Sequence, residues 1–179
     1  TLSPDGKRLA GVGAGGSLFI WDIANNYAEK VAFKNNNPLT AVAFAPDNSR
    51  RIIVGDNTGS VKVITEDTNL IPRVLSGHTA HIEQITFNNA GTFVATTSRD
   101  GRVRLWNWNK ISDNPIVLYD RDLGDWAWSA AFSPDDEQLM VGVHSNTNRA
   151  KETIHVYPTK VVTMSNALCT YIDRNMTTA

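Results

Sequence analysis

The segment Phe44-Ala45-Pro46-Asp47 recurs as Phe87-Asn88-Asn89-Ala90 and again as Phe132-Ser133-Pro134-Asp135, with a truncated copy at Ser3-Pro4-Asp5-Gly6. Phe44 to Phe87 is 43 residues, and Phe87 to Phe132 is 45. A second marker closes an alternating segment in each copy: Trp21, Ile64, Trp106 and Tyr157, at gaps of 43, 42 and 51. The longer last gap holds a polar insertion, Asn146-Thr147-Asn148-Arg149-Ala150-Lys151-Glu152. Two independent markers with one period define a tandem repeat. A repeat of this length restricts the fold to architectures in which each unit buries its apolar face against the next.

Every copy has the same internal layout. A short strand ends at the Phe: Leu39 to Phe44, Ile82 to Phe87, Ala127 to Phe132. A polar turn follows, then an apolar strand: Arg51 to Gly55, Thr92 to Thr97, Gln138 to Val143. Asn57-Thr58-Gly59 and Arg99-Asp100-Gly101 are hairpin signals, because glycine accepts the positive φ that tight turns need. In Gly101-Arg102-Val103-Arg104-Leu105-Trp106 the apolar residues fall at period two, the pattern of a half-buried strand. A fourth strand is expected at Tyr27 to Phe33, Arg73 to Leu75 and Ile116 to Tyr119. The expected fold is therefore all-β: β-propeller blades of four antiparallel strands in four repeats, at about residues 1–33, 38–76, 77–119 and 126–158. Residues 159–179 form a tail.

Composition narrows the function. Seventeen Lys and Arg against eighteen Asp and Glu leave a net charge of −1, without the positive surplus a dedicated nucleic-acid or anionic-membrane binder carries. The longest apolar stretch, Leu9 to Trp21, is too short to span a bilayer and contains four glycines. The chain opens on a turn signal rather than a secretory leader. A single cysteine, Cys169, excludes an intrachain disulfide and a Cys-rich zinc cluster.

Gly77-His78 stands 28 residues before Trp106, and Trp21-Asp22 retains a Trp-Asp pair. With the repeat length, these residues make the chain resemble the WD-repeat family over residues 3 to about 158. The resemblance implies a hydrogen-bonded structural tetrad in the third unit: His78, Asp100, Trp106 and one of Thr96 or Ser98. Buried Trp and His need polar partners, which gives the tetrad a physical sense. The other units depart from the pattern. Unit two has Asp56 and Asn57 but Ile64 in place of Trp, unit one has Gly15-Gly16 at the turn, and unit four lacks both Gly-His and the turn Asp. Those units are expected to rest more on packing.

Four units are few for a closed propeller. An open array exposes two blade faces, and a few hundred Å² of apolar area at ~25 cal/mol/Å² costs on the order of 10 kcal/mol per face. The expectation is that this is the C-terminal part of a longer chain, or that copies self-associate into a ring. In the tail, Ser165 to Arg174 is expected to form a short helix with Ser165 as N-cap and Leu168, Tyr171 and Ile172 as an apolar stripe. Leu168-Cys169 followed by Arg174-Asn175-Met176-Thr177 resembles the tail that follows bacterial WD-repeat propellers. That likeness implies a cytoplasmic, prokaryotic signalling protein with its effector upstream.

A search for chemistry finds little. Gly11-Val12-Gly13-Ala14-Gly15-Gly16 fits G-x-G-x-x-G, but Leu18-Phe19-Ile20-Trp21 after it reads as a strand, not the helix a dinucleotide loop opens. His78 and His81, with His144 and His155, lack a cysteine or carboxylate cluster to complete a metal site. Asp120 to Asp125 has a calcium-loop outline with Ala131 where the ligating glutamate belongs. Ser129 lies in no nucleophile elbow. Cys169 has no evident base beside it, and Asn175-Met176-Thr177 is a formal glycosylation sequon. No cofactor and no metal are expected.

What remains is surface. The family resemblance implies that loops entering each blade and its tight turns gather on one face, which here collects Asn37, Asn57, His81, Arg99, Trp126 and Trp128. Trp126-Ala127-Trp128 stands out, because residues i and i+2 of a strand point the same way and Trp and Arg are enriched at binding hot spots. The alternative is that both indoles pack between blades. Three functions compete on these grounds: a non-catalytic protein-interaction or sensing scaffold, a propeller enzyme with its site at the channel mouth, and a structural cap without its own binding face. The first is the expectation, because fold alone fixes no chemistry and no catalytic constellation can be placed.

Overall fold

Strands form wherever the period-two pattern lies, and turns fall at the Gly-containing and Pro-Asp segments. The computed structural model describes residues 1–47, 50–66, 70–111, 115–120, 125–145 and 153–160. It contains fourteen strands among these residues, in four antiparallel sheets. Sheet one is β1 (Arg8–Val12), β2 (Ser17–Asp22) and β3 (Ala28–Lys34). Sheet two is β4 (Leu39–Phe44), β5 (Arg51–Asp56), β6 (Val61–Thr65) and β7 (Arg73–Leu75). Sheet three is β8 (Ile82–Phe87), β9 (Phe93–Ser98), β10 (Arg102–Asn107) and β11 (Ile116–Asp120). Sheet four is β12 (Asp125–Phe132), β13 (Gln138–Ser145) and β14 (Thr153–Pro158).

Each sheet is a meander, with strands hydrogen-bonded in chain order. The expected four strands appear in sheets two and three. Sheet one has three strands and an isolated bridge between Leu2 and Leu9, and sheet four has three among the described residues. The G-x-G-x-x-G segment joins β1 to β2 as a strand-turn-strand hairpin, with Leu9 opposite Trp21. The helix expected over 165–174, Cys169, the sequon and most of the acidic loop at 120–125 lie outside the described residues.

The sheets stack flank to flank, and three apolar layers fill the gaps. Ala10, Leu18 and Ile20 of sheet one meet Phe44, Ile52, Val54 and Ile64 of sheet two. Ala41, Ile53 and Val63 of sheet two meet Ile82, Val94 and Trp106 of sheet three. Ala95, Val103 and Leu105 of sheet three meet Leu139, Val141 and Tyr157 of sheet four. The second repeat marker thus faces the preceding sheet three times, as Ile64, Trp106 and Tyr157. Its first copy, Trp21, has no preceding sheet here: it stacks on Phe19 at 5.8 Å, half-exposed.

Polar pins join neighbouring sheets at equivalent places. Two residues past the marker, Glu66, Trp108 and Thr159 each donate their backbone N–H to the turn before the unit's second strand, at Arg50, Thr92 and Glu137. From there Glu66 reaches back to Arg8 of sheet one, and Trp108 donates to Asp47 of sheet two at 2.7 Å while Arg51 lies 4.1 Å above its ring. Between sheets three and four the chemistry changes again. The Asp136 carboxylate accepts the N–H groups of Asn89 and Ala90 at 2.8 and 2.7 Å.

One irregularity repeats. In each inner pair the register shifts by one residue: at Thr40 between Leu39 and Ala41, at Glu83 between Ile82 and Gln84, and at Trp128 between Ala127 and Ser129. Such a bulge leaves one residue unpaired and re-aims its side chain.

Candidate functional site

The polar centre of unit three is built by β9, β10 and the segment entering β8. Trp106 donates Nε1–H to Thr96 Oγ1 at 3.0 Å, and the same hydroxyl lies 2.8 Å from His78 Nε2. His78 Nδ1 lies 2.8 Å from Asp100 Oδ2. A carboxylate only accepts and an indole only donates, so Trp106 donates to Thr96 and His78 Nδ1–H donates to Asp100. Asp100 also accepts the backbone N–H groups of Thr79 at 3.1 Å and Arg102 at 2.9 Å, which fixes the tight turn. Thr96 is the hydroxyl in this chain. Ser98 points elsewhere, donating to Ala80 O at 2.9 Å. Arg104 stands 3.1 Å from His78 Nδ1 and 3.6 Å from Asp100 Oδ2. Gly77 makes room for it. Gly77 has φ +144, a conformation other residues rarely adopt, and a Cβ there would sit 2.6 Å from Arg104 Nε, so a larger residue would strain the turn and push Arg104 aside.

Unit two, expected to rest more on packing, also holds a buried polar cluster. Asp56, 1% exposed, accepts from Thr58 N and Ser60 N at 2.9 and 3.0 Å and from Asn35 Nδ2 at 3.1 Å. Lys62 bonds Asn35 Oδ1 and lies 3.9 Å from Asp56. Asn35, Asp56 and Lys62 stand where unit three has His78, Asp100 and Arg104. Sequence reading named Asp56 but missed Asn35 and Lys62, because their residue types are exchanged and the acid sits two positions earlier in the turn.

Burial pushes the carboxyls of Asp56 and Asp100 up, and their hydrogen bonds more than offset it, so both lie below the usual aspartate range. For Asp56 these bonds come from Thr58, Asn35 and Ser60. For Asp100 they come from His78, Thr79 and Arg102, reinforced by the electrostatic pull of His78. A carboxyl lowered in the folded state stabilises fully above its unfolded pKa of about 3.9, and that stability is lost as pH falls toward the folded value. The melting temperature is therefore expected to drop as pH falls below about 4. Asp100→Asn and Asp56→Asn should each flatten that drop when melting is followed from pH 7 to 2.5. An unchanged acid slope in both variants would contradict the assignment.

The second cluster lies where β12 begins and β13 ends, with Trp126 opposite His144. Trp128 is the bulged residue and is 49% exposed, and Trp126 is half-buried. Their rings stack at 6.3 Å and 17°, with His144 at 6.0 and 6.1 Å. Arg99, from the β9–β10 turn, lies 4.7 Å over Trp126 and 6.0 Å from Trp128, and its Nε bonds Glu83. His81 Nε2 is 3.9 Å from Glu83. Of the surface residues singled out by sequence, His81, Arg99, Trp126 and Trp128 thus come together. Asn37 and Asn57 instead belong to unit two, where Asn35 bonds the carbonyl of Asn37 and the Asn57 N–H bonds Pro38. No hydrogen bond or ring contact joins these two to the indoles among the described residues. Glu83 was not singled out, and His144 was weighed only as a metal ligand. Glu83 carried the signal of being the repeat-equivalent of Thr40 and Trp128. Among the described residues, no three His, Cys, Asp or Glu side chains converge at metal-binding range, and no helix is long and apolar enough to cross a membrane.

Residues 71–107 match the family model described as WD domain, G-beta repeat. Over 145 residues, 79% of its length, the chain is 28% identical to an uncharacterised WD repeat-containing protein of Synechocystis sp.. Residues 71–107 carry a WD repeat, and the chain is similar to WD-repeat proteins. The matched WD repeat runs from β7 of sheet two through β10 of sheet three, so one sequence repeat stitches two neighbouring sheets. It also contains all of His78, Thr96, Asp100 and Trp106. The chain is similar to telomerase protein component 1 of Mus musculus, 32% identical over 111 residues or 61% of its length, and to that of Rattus norvegicus, 30% identical over 111 residues. It spans 39% of the Synechocystis protein and 4% of each rodent protein.

Proposed function

We propose that this WD-repeat chain is a non-catalytic protein-interaction scaffold, and that it recognises its partner through Arg99, Trp126 and Trp128, flanked by His81. The observation that carries the reading is Trp128, a large aromatic side chain held half in solvent by a bulge and braced by Trp126. Exposed, preorganised Trp beside Arg is the composition of a binding hot spot. WD-repeat relatives support a scaffold role. Asn37 and Asn57 extend the surface toward unit two.

Both outer flanks of the array are apolar. Sheet four exposes Met140, Ile154 and Val156, and sheet one exposes Leu9 and Val31 beside Trp21. We take these flanks to be covered by further blades, from a longer chain or a second copy, since bare apolar faces cost several kcal/mol each. The tail resemblance supports a cytoplasmic, prokaryotic signalling protein as the setting.

Partner capture from native lysate, run beside thermal melting, tests the reading. Trp128→Ala and Trp126→Ala should each sharply reduce the captured protein. Trp128→Ala should leave stability within about 0.5 kcal/mol of wild type, as for an exposed position. Undiminished capture by both variants would refute the surface.

A further inference from the structure

Three residues are skipped by the ladder at the equivalent bulges of the inner strands, and each side chain does something different. Thr40 turns to the next sheet and donates to the Ile82 carbonyl at 2.7 Å. Trp128 stands half in solvent. Glu83 serves the β9–β10 turn of its own unit, where its carboxylate accepts from Arg99 Nε. The Glu83 side chain is only 11% exposed, against 37% for Arg99. A carboxylate so far from water is costly unless a cation or donors compensate it. Its partners among the described residues are Arg99 and, at 3.9 Å, His81. An ion pair open to water at one end contributes little to stability. What this one fixes is a geometry.

Arg99 is held at both ends. Its backbone N–H donates to the His81 carbonyl at 2.9 Å, and the turn that carries it is set by Asp100, which accepts the Arg102 N–H at 2.9 Å. At the far end Glu83 takes the guanidinium by its Nε, and the group lies 4.7 Å over the Trp126 ring. Arg99 thereby bridges a turn of sheet three to the first indole of sheet four, and that indole stacks on Trp128 at 6.3 Å. Without Glu83, an arginine on an exposed turn regains its rotamer freedom, which binding must then remove. The signed contacts thus run in one order, from a nearly buried carboxylate through a half-exposed cation to two aromatic plates.

We infer that Glu83 is a positioning residue of the interaction surface: its carboxylate holds Arg99 over Trp126, so that the guanidinium and the two indoles are arranged before a partner arrives. The inference rests on the surface proposed above and adds the residue that presets it. Glu83 acts through Arg99.

Nuclear magnetic resonance of the full 179-residue chain reads the positioning directly. The Arg99 Nε–H signal is identified by its loss in Arg99→Lys, and the Trp126 indole signal by its loss in Trp126→Phe. Glu83→Ala should shift both, leave the Trp106 indole signal in place and leave the melting temperature unchanged. Glu83→Gln keeps the shape with a neutral acceptor. It should give shifts between those of wild type and Glu83→Ala, because a charge-assisted hydrogen bond is about twice as strong as a neutral one. In lysate capture, Glu83→Ala should retain about two- to tenfold less partner, the cost of ordering one long side chain on binding. Adding it to Arg99→Ala should lower capture no further, since both remove the same contact. Unmoved Arg99 and Trp126 signals in Glu83→Ala, a Glu83→Gln variant equal to wild type in both readouts, or additive losses in the double variant would overturn the inference. If capture depends on Trp128 but not on Glu83, the positioning role is wrong and the surface stands. If capture is also independent of Trp128, the surface itself is wrong.

Discussion

Replacing Trp106 with alanine is expected to cost about 3–5 kcal/mol, the usual range for removing a buried Trp. For a chain of this size that corresponds to a fall in melting temperature of roughly 6–20 °C. Two effects add. Trp106 is 3% exposed and packs against Ala41, Ile53 and Val63 of the neighbouring sheet, so its loss opens a cavity between units two and three. The substitution also removes the donor that holds Thr96 in line with His78. Trp106→Phe separates them: it keeps most of the packing and loses the N–H, so it should cost only about 1–2 kcal/mol. Trp128→Ala is the internal comparison, an indole of equal size whose loss leaves melting unchanged. Equal melting temperatures for Trp106→Ala and wild type would contradict the buried tetrad.

The second large effect is expected at Arg8. The Glu66 side chain is fully buried; Oε1 bonds Arg8, and Oε2 has no hydrogen bond, with Lys30 at 3.6 Å. Arg8→Ala leaves the buried carboxylate with only the longer Lys30 contact at 3.6 Å, which costs about 3–5 kcal/mol. Replacing both members by apolar residues, Arg8→Met with Glu66→Leu, should recover most of that loss, because two desolvation penalties vanish together. Denaturant unfolding of the wild type, both single variants and the double variant gives the coupling directly. If the double variant is no more stable than Arg8→Ala, the pin does not join sheets one and two.

These two sites show what residue order makes legible. Trp106 and His78 could be placed because motif spacing names both members. Which hydroxyl joins them could not, since Thr96 and Ser98 both lie on β9, two residues apart, and strand pleat alone gives them the same side. The choice depends on the tight turn, which draws Ser98 to the Ala80 carbonyl. Arg8 and Glu66 were invisible for another reason. Their repeat-equivalents are Arg51 and Trp108, so one structural position uses an ion pair in one unit and ring stacking in the next. Exchange of chemistry at a fixed place also hid Asn35 and Lys62.

Strands were legible where alternation is strict. Leu39–Phe44, Ile82–Phe87 and Arg73–Leu75 fall at the expected bounds. Strands next to hairpin turns run one or two residues further than expected, as at Gln138–Ser145, because ladder hydrogen bonds continue after the apolar pattern stops. The bulges were not legible. Thr40, Glu83 and Trp128 share no side-chain property, and only the common register shift relates them. That shift leaves Trp128 49% exposed and outside the three apolar layers.

The central claim is that one antiparallel module is used four times in succession, and backbone hydrogen exchange tests it most directly. Protection should peak in strands flanked by hydrogen-bonded neighbours on both sides: β2, then β5 and β6, then β9 and β10, then β13. The maxima should recur with the spacing of the repeat, separated by fast exchange at Asn57-Thr58-Gly59 and Arg99-Asp100-Gly101. Slow exchange running through those turns, or a single protected block without the recurrence, would contradict the account.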